Sequence, residues 1–216
     1  MNQAAPARHG FLDDRTISSD RACDGVIYPR TVDSPYVLPY PVGDAHNVRQ
    51  GNCNPSNTHN AKYRERFAYD FEMAIGSTIV AARGGRVIVV IDRYSDRDRG
   101  LSEANLVAIE HRDGTYAKYG HLTRNGALVA VGDVVSRGQP IARSGNSGLS
   151  RGPHLHFSVK QCPEGRPSGN PKCVTIPVTF RNTRTHPNGL VGSPTSELGG
   201  GQWYLALPAW LSPAPR

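Results

Sequence analysis

No window of about a dozen residues in this chain carries the 3.6-residue apolar period of an amphipathic helix. Short apolar runs follow one another instead. RFAYDFEM (66–73), TIVAA (78–82), GRVIVVIDRY (85–94), NLVAIEH (105–111) and TYAKYGHL (115–122) read as strands. So do ALVAV (127–131), PIARS (140–144), HLHFSVK (154–160) and VTIPVTFRN (174–182). GS, GG, DG, NG, GD and RG dipeptides lie between them and suit tight turns. A chain of this pattern is restricted to an all-β fold, an antiparallel sheet or sandwich. The 23 glycines and 17 prolines fit many turns, while 38% hydrophobic residues is too apolar for a disordered chain.

AIGSTIVAARGGRVIVV (74–90) and AVGDVVSRGQPIARSGN (130–146) share a frame. Each has a small residue, an apolar residue, Gly, a polar residue, a strand, a turn and a second strand. The echo suggests two duplicated half-motifs in one small β unit. The dense region, 59–182, reads as one domain. Residues 1–58, rich in Pro, Gly and Asn towards their end, read as an N-terminal extension packed on or over a cleft. Residues 183–216 read as a C-terminal tail, pinned by the aromatics of QWYLALPAW.

The formal net charge is +7, which suits an anionic partner such as a cell-wall polymer. In IDRYSDRDRG (91–100) acids interleave with the arginines. No basic run with interleaved aromatics occurs, so nucleic acid is not the expected partner. None of Cys23, Cys53, Cys162 and Cys173 forms a CxxC pair, which argues against a cysteine zinc site. Disulfides Cys23–Cys53 and Cys162–Cys173 are the expected pairing, each bracketing one flank of the central region, and they would place the protein in an oxidising compartment. No apolar run is long enough to span a membrane. MNQAAPARHGF lacks an apolar signal core. The expectation is a periplasmic or secreted monomer whose leader has been removed.

Chemistry concentrates in GPHLHF (152–157). On a strand, residues i and i+2 share a face, so His154 and His156 stand side by side about 6.5–7 Å apart at Cα. Two imidazoles so placed can reach one metal ion. Asp70 lies in an apolar strand between Tyr69 and Phe71, where a carboxylate is costly to bury without a positive partner. His59 precedes it, and His121 closes YGHL at a strand end. His9, His46, His111 and His186 lie in polar or turn segments. His59, Asp70 and one histidine of the pair would make a His₂Asp set. Three protein ligands with an open position for water mark a catalytic zinc site. The other histidine of the pair and His121 would flank that water, one as base and one facing the oxyanion.

HNAKYRERFAYDF, YAKYGHL and SGNSGLSRGPHLHFSV together resemble the lysostaphin-type zinc metallopeptidases, the LytM family. The resemblance covers about 59–160. It implies an antiparallel scaffold of duplicated half-motifs with Zn²⁺ held by His59, Asp70 and His156, and His121 and His154 as the catalytic pair. Many members place the first ligand four residues before the Asp; here the gap is eleven, as in a subgroup common in Gram-negative proteins. His46 remains an alternative first ligand. That kinship implies a peptidoglycan endopeptidase cutting D-Ala–diaminopimelate cross-links. Two rivals remain: a metal-free activator of cell-wall amidases, and a protease that cuts Gly-Gly sequences. By position, Ser144, Gly145, Asn146 and Ser147 are expected to line the substrate groove. Tyr69, Tyr116 and Tyr119 are expected as oxyanion or wall residues.

Overall fold

The computed structural model describes residues 25–52, 58–59, 61–163, 173–183, 190 and 201–209. Cys23, Cys53, His9 and His186 lie outside the described residues, and with them the expected Cys23–Cys53 bridge. Eleven strands form one antiparallel sheet system. They are β1 (Ala45–Gln50), β2 (Tyr69–Glu72), β3 (Thr78–Val80), β4 (Gly85–Ile91), β5 (Asn105–Glu110), β6 (Tyr116–Ala127), β7 (Val134–Val135), β8 (Pro140–Ser144), β9 (His154–Gln161), β10 (Val174–Thr175) and β11 (Trp203–Leu205). Two single-turn 3-10 helices, Thr31–Asp33 and Ala61–Tyr63, are the helical elements among the described residues.

The main path runs β11-β1-β2-β9-β6-β5-β4-β7. β10 pairs with β9, and β8 pairs with both β3 and β6. The two echoing segments lock into each other: β3 of the first pairs with β8 of the second, and β4 with β7. Gly76 and Gly132 occupy matching places in the echo, both with positive φ (89° and 100°). Glycine takes that conformation without the Cβ clash.

Phe71, Tyr119, Leu155, Phe157, Phe180 and Ile109 are fully buried in the main core. A second, smaller cluster gathers Ala108, Tyr116, Cys162 and Cys173, and the last two are joined as a disulfide. The bridge staples the end of β9 to the start of β10.

Three differences from the sequence pattern have local causes. Strand β6 continues through the NG signal to Ala127, and Asn125 takes φ 54° inside it. Gly126 fits because a Cβ there would lie 2.9 Å from the Thr123 carbonyl. No strand forms over 128–131. The 174–182 run leaves the sheet after Ile176, whose N–H still donates to Val159 O (2.9 Å), because Pro177 has no N–H to give a ladder. Conversely, the turn-rich approach segment holds β1, and the tail holds β11, with Tyr204 buried and Trp203 exposed. No helix among the described residues is long and apolar enough to cross a membrane.

Candidate metal centre

The β2–β9 ladder sets the centre. Tyr69 faces Phe157 and Phe71 faces Leu155, filling the apolar core. The intervening partners, Asp70 with His156 and Glu72 with His154, fall on the opposite face. Asp70 Oδ1 lies 2.9 Å from His156 Nδ1 and 3.6 Å from His154 Nε2. His59 enters from the loop after β1, with Nε2 3.2 Å from the same oxygen. His59, Asp70 and His156 are buried, and their ligand atoms lie within 4.8 Å of one another. His46 is elsewhere; its Nδ1 donates to the Glu72 carbonyl (2.8 Å).

Backbone carbonyls fix the tautomers, because a carbonyl can only accept. His59 Nδ1 donates to Gly51 O (3.0 Å), His121 Nδ1 to Ser147 O (2.7 Å) and His154 Nδ1 to Gly152 O (2.8 Å). Each ring therefore keeps a lone pair on Nε2. His156 is turned the other way. Its Nε2 is buried 3.3 Å from Glu65 Oε2, while Nδ1 faces Asp70. Glu65 Oε1 is in turn 2.5 Å from Lys160 Nζ and 3.6 Å from Lys118 Nζ.

Electrostatics follow from this arrangement. Burial alone would raise the Asp70 carboxyl, yet His59 and His154, then His156, hold it well below the usual carboxylate range. Burial likewise opposes ionisation of Glu65, but His156, Lys118 and Lys160 keep it well below its ordinary value. Burial pushes His121 down to about 3, reinforced by His154 and His156. Burial also lowers His154, with the Arg49 charge adding to the effect. His156 moves upward despite its burial, because Glu65 and Asp70 flank it. An ionised Asp70 oxygen thus faces ring nitrogens of His59 and His156 that carry lone pairs whenever the rings are neutral. Buried acceptors so opposed need a cation between them. Two imidazoles and one carboxylate are the donor set of a catalytic zinc site, so these residues fit a divalent metal.

His121 sits beside this cluster on a bulge. Asn105 pairs with Leu122 and Leu106 with Gly120, which leaves His121 as the extra residue with φ 61°. The bulge turns its ring towards His154, 4.5 Å between centroids, and His156, 5.9 Å.

The expected groove lining is otherwise occupied. Tyr69 and Tyr119 are fully buried. The Tyr69 hydroxyl donates to Val178 O (3.2 Å) and accepts from Asn52 (2.7 Å), and Tyr119 accepts from the Ala82 N–H (2.8 Å). Neither can form a wall for a bound peptide, and Tyr116 packs at the disulfide. Ser144 and Ser147 are also fully buried, donating to Ala74 O (2.6 Å) and Leu122 O (2.7 Å). A Cβ on Gly145 would lie 2.2 Å from the Thr123 nitrogen, so this glycine serves close packing. The Asn146 N–H donates to Asp96 (2.7 Å). The 144–147 segment braces His121 through the Ser147 carbonyl, and the Ser144 and Ser147 hydroxyls are committed to backbone carbonyls.

The sequence patterns did not single out Glu65, Gln50 or Arg49. Gln50 Nε2 donates to Asp70 Oδ2 (2.7 Å), and Arg49 Nη2 lies 3.3 Å from His154 Nδ1. Glu65 stands in the charged string KYRER, which reads as a solvated surface until the fold brings Lys118 and Lys160 to it.

Residues 64–170 match peptidase family M23. The chain carries a metallopeptidase domain of family M23. The matched span contains Glu65, Asp70, His121, His154 and His156, and begins after His59. The chain is 34% identical over 122 residues to a protein of Vibrio cholerae named peptidoglycan DD-endopeptidase ShyB; the match covers 56% of this chain and 26% of that protein. It is 35% identical over 92 residues to lysostaphin of Staphylococcus simulans, covering 42% of this chain and 17% of that protein. A solved structure described as a zinc-containing peptidase from Vibrio cholerae is 29% identical, with a TM-score of 0.39, covering 58% of this chain and 37% of that one. The M23 domain here therefore matches only a part of each longer relative.

Proposed function

We propose that this M23 domain is a zinc-dependent endopeptidase that hydrolyses peptide cross-links of peptidoglycan, with D-Ala–diaminopimelate as the bond cut. The observation that carries the reading is the convergence of His59 Nε2, Asp70 Oδ1 and His156 Nδ1 beside the rings of His121 and His154. The relative named a peptidoglycan DD-endopeptidase matches a longer stretch of this chain than lysostaphin does, 122 against 92 residues. The net charge of +7 suits an anionic wall polymer, and the disulfide suits a periplasmic or secreted setting.

His59, Asp70 and His156 would hold the zinc ion. When bound, it would supply Lewis acidity that polarises the scissile carbonyl and lowers the pKa of water. The remaining steps belong to the chain. The Glu65 carboxylate, 3.3 Å from His156 Nε2, favours a proton on that nitrogen and so leaves Nδ1 to ligate. Gly152 O and Ser147 O hold the Nδ1 protons of His154 and His121, so each ring offers an Nε2 lone pair. One ring accepts the proton of the attacking water and passes it to the departing amine. The other can donate to the developing oxyanion only once its Nε2 has gained a proton. A complete ligand triad in space supports hydrolysis over the metal-free activator reading.

Digestion of intact peptidoglycan, with released fragments identified by mass spectrometry, tests the proposal. The zinc-loaded protein is expected to open D-Ala–diaminopimelate cross-links, and chelation to stop it until zinc is restored. Zinc-loaded protein that releases no peptide-cleaved fragment would sink the reading.

A further inference from the structure

Arg49 is a charged residue at the centre that the proposed reaction leaves unused, and its placement is unusual. Val48 pairs with Phe71 and Gln50 with Asp70, so Arg49 is the extra residue of a bulge in β1. In an unbroken strand, neighbours point to opposite faces. The bulge lets Arg49 and Gln50 both serve the metal face: Gln50 reaches Asp70 at 2.7 Å and Arg49 reaches His154 at 3.3 Å. Arg49 is only 5% exposed, and no Asp or Glu oxygen among the described residues lies within 4.0 Å of its guanidinium. Its neighbour His154 Nδ1 commits its proton to Gly152 O, so that nitrogen has no lone pair to accept from Arg49.

A guanidinium is charged at every working pH and presents a rigid fork of donors. Burying one without an anion is costly. The two carboxylates that face the histidine rings are already claimed, Asp70 by the histidines and Glu65 by His156 and two lysines. A divalent metal beside it would add further positive charge. Among the described residues no carboxylate oxygen lies within 4.0 Å of Arg49, which leaves that anion to a ligand.

We propose that Arg49 docks a free carboxylate adjacent to the scissile amide, so that the centre selects peptides carrying an acid at that place. This rests on the hydrolase reading above and deepens it. In a D-Ala–diaminopimelate cross-link, the carbon that bears the scissile amide nitrogen also bears a free carboxylate. A glycine bridge has no such group within it. Arg49 thus sorts the two cross-link chemistries by charge.

The test uses the zinc-loaded chain and two synthetic D-Ala–diaminopimelate cross-linked peptides, one with that carboxylate free and one with it as a carboxamide. Binding is measured by calorimetry and cleavage by chromatography. The wild-type protein is expected to bind the acid about 10–100-fold more tightly than the amide, the scale of one charged hydrogen-bonded pair. Arg49→Gln, with zinc content as the control for an intact centre, removes that preference, and Arg49→Lys retains part of it. Equal affinity of the wild-type protein for acid and amide overturns the proposal, a result that needs no variant to fold. Equal weakening of both peptides by Arg49→Gln overturns it too, since it marks a role in holding His154. A protein that prefers the acid but cleaves neither peptide supports Arg49 as the acid-docking residue while sinking the hydrolase reading.

Discussion

Between β2 and β9 the ladder runs unbroken through four pairs, from Tyr69–Phe157 to Glu72–His154, whereas its neighbours β1 and β6 each slip by one residue where they reach the metal face. The regular part holds Asp70 opposite His156, and its rigidity comes from the aromatic core on its other side. The slipped parts hold Arg49 and His121. There the extra residue leaves the alternation and swings inward. On the proposed reading, the ladder sets the residues that would hold a metal, and the bulges aim the groups that would face a substrate.

Substitutions can break this comparison at either part. The largest effect is expected on the ladder: Asp70→Ala removes the shared oxygen and abolishes zinc uptake, measured by metal analysis of the purified protein. Zinc retained at one equivalent would take Asp70 out of the ligand set. Next, His154→Ala is expected to keep zinc and lose about 10²–10⁴-fold in turnover, the range of a single general acid–base group. A fully active His154→Ala protein would leave His121 alone as the proton carrier.

Glu65→Gln sharpens the contrast from outside the ladder, through its contact with His156. It replaces the carboxylate beside His156 Nε2 with a neutral amide, a weaker acceptor for that proton, and zinc affinity is expected to fall about 10–100-fold, as for other groups that orient a metal-bound histidine. Chelator competition measures it, and an unchanged affinity would reduce Glu65 to a partner of Lys118 and Lys160. The smallest effect is expected at the brace of the β6 bulge. Gly145→Ala forces a methyl group against the Thr123 nitrogen, which is expected to cost about 1–3 kcal/mol of stability by overpacking. Thermal unfolding reads this, and an unchanged melting temperature would show that the brace yields freely.

Much of the site was legible in the chain because its cues are local. His154 and His156 announce a shared face by their spacing, and Asp70 stands out as a carboxylate in an apolar strand. The tyrosines misled for a related reason. Tyr69 and Tyr119 flank functional residues in sequence, but strand alternation sends them to the opposite, core face, where their hydroxyls serve backbone groups. The SGNS segment looked like a groove lining because glycine and serine suit both an open groove and a tight brace. Only its contacts with Thr123, Leu122 and Ala74 separate the two.

By itself the sequence determined the all-β architecture, suggested an echo of two half-motifs, and marked Asp70, His154 and His156 as candidate metal-face residues through side-chain alternation along single strands. Tertiary structure alone decided which ring nitrogens carry protons, because the carbonyls and the Glu65 carboxylate that fix them come from distant segments. It also decided that Arg49 turns to His154 and that His121 meets His154 and His156 from a bulge. A bulge exists only relative to the strand it slips against, and one chain segment read alone has no partner to slip against.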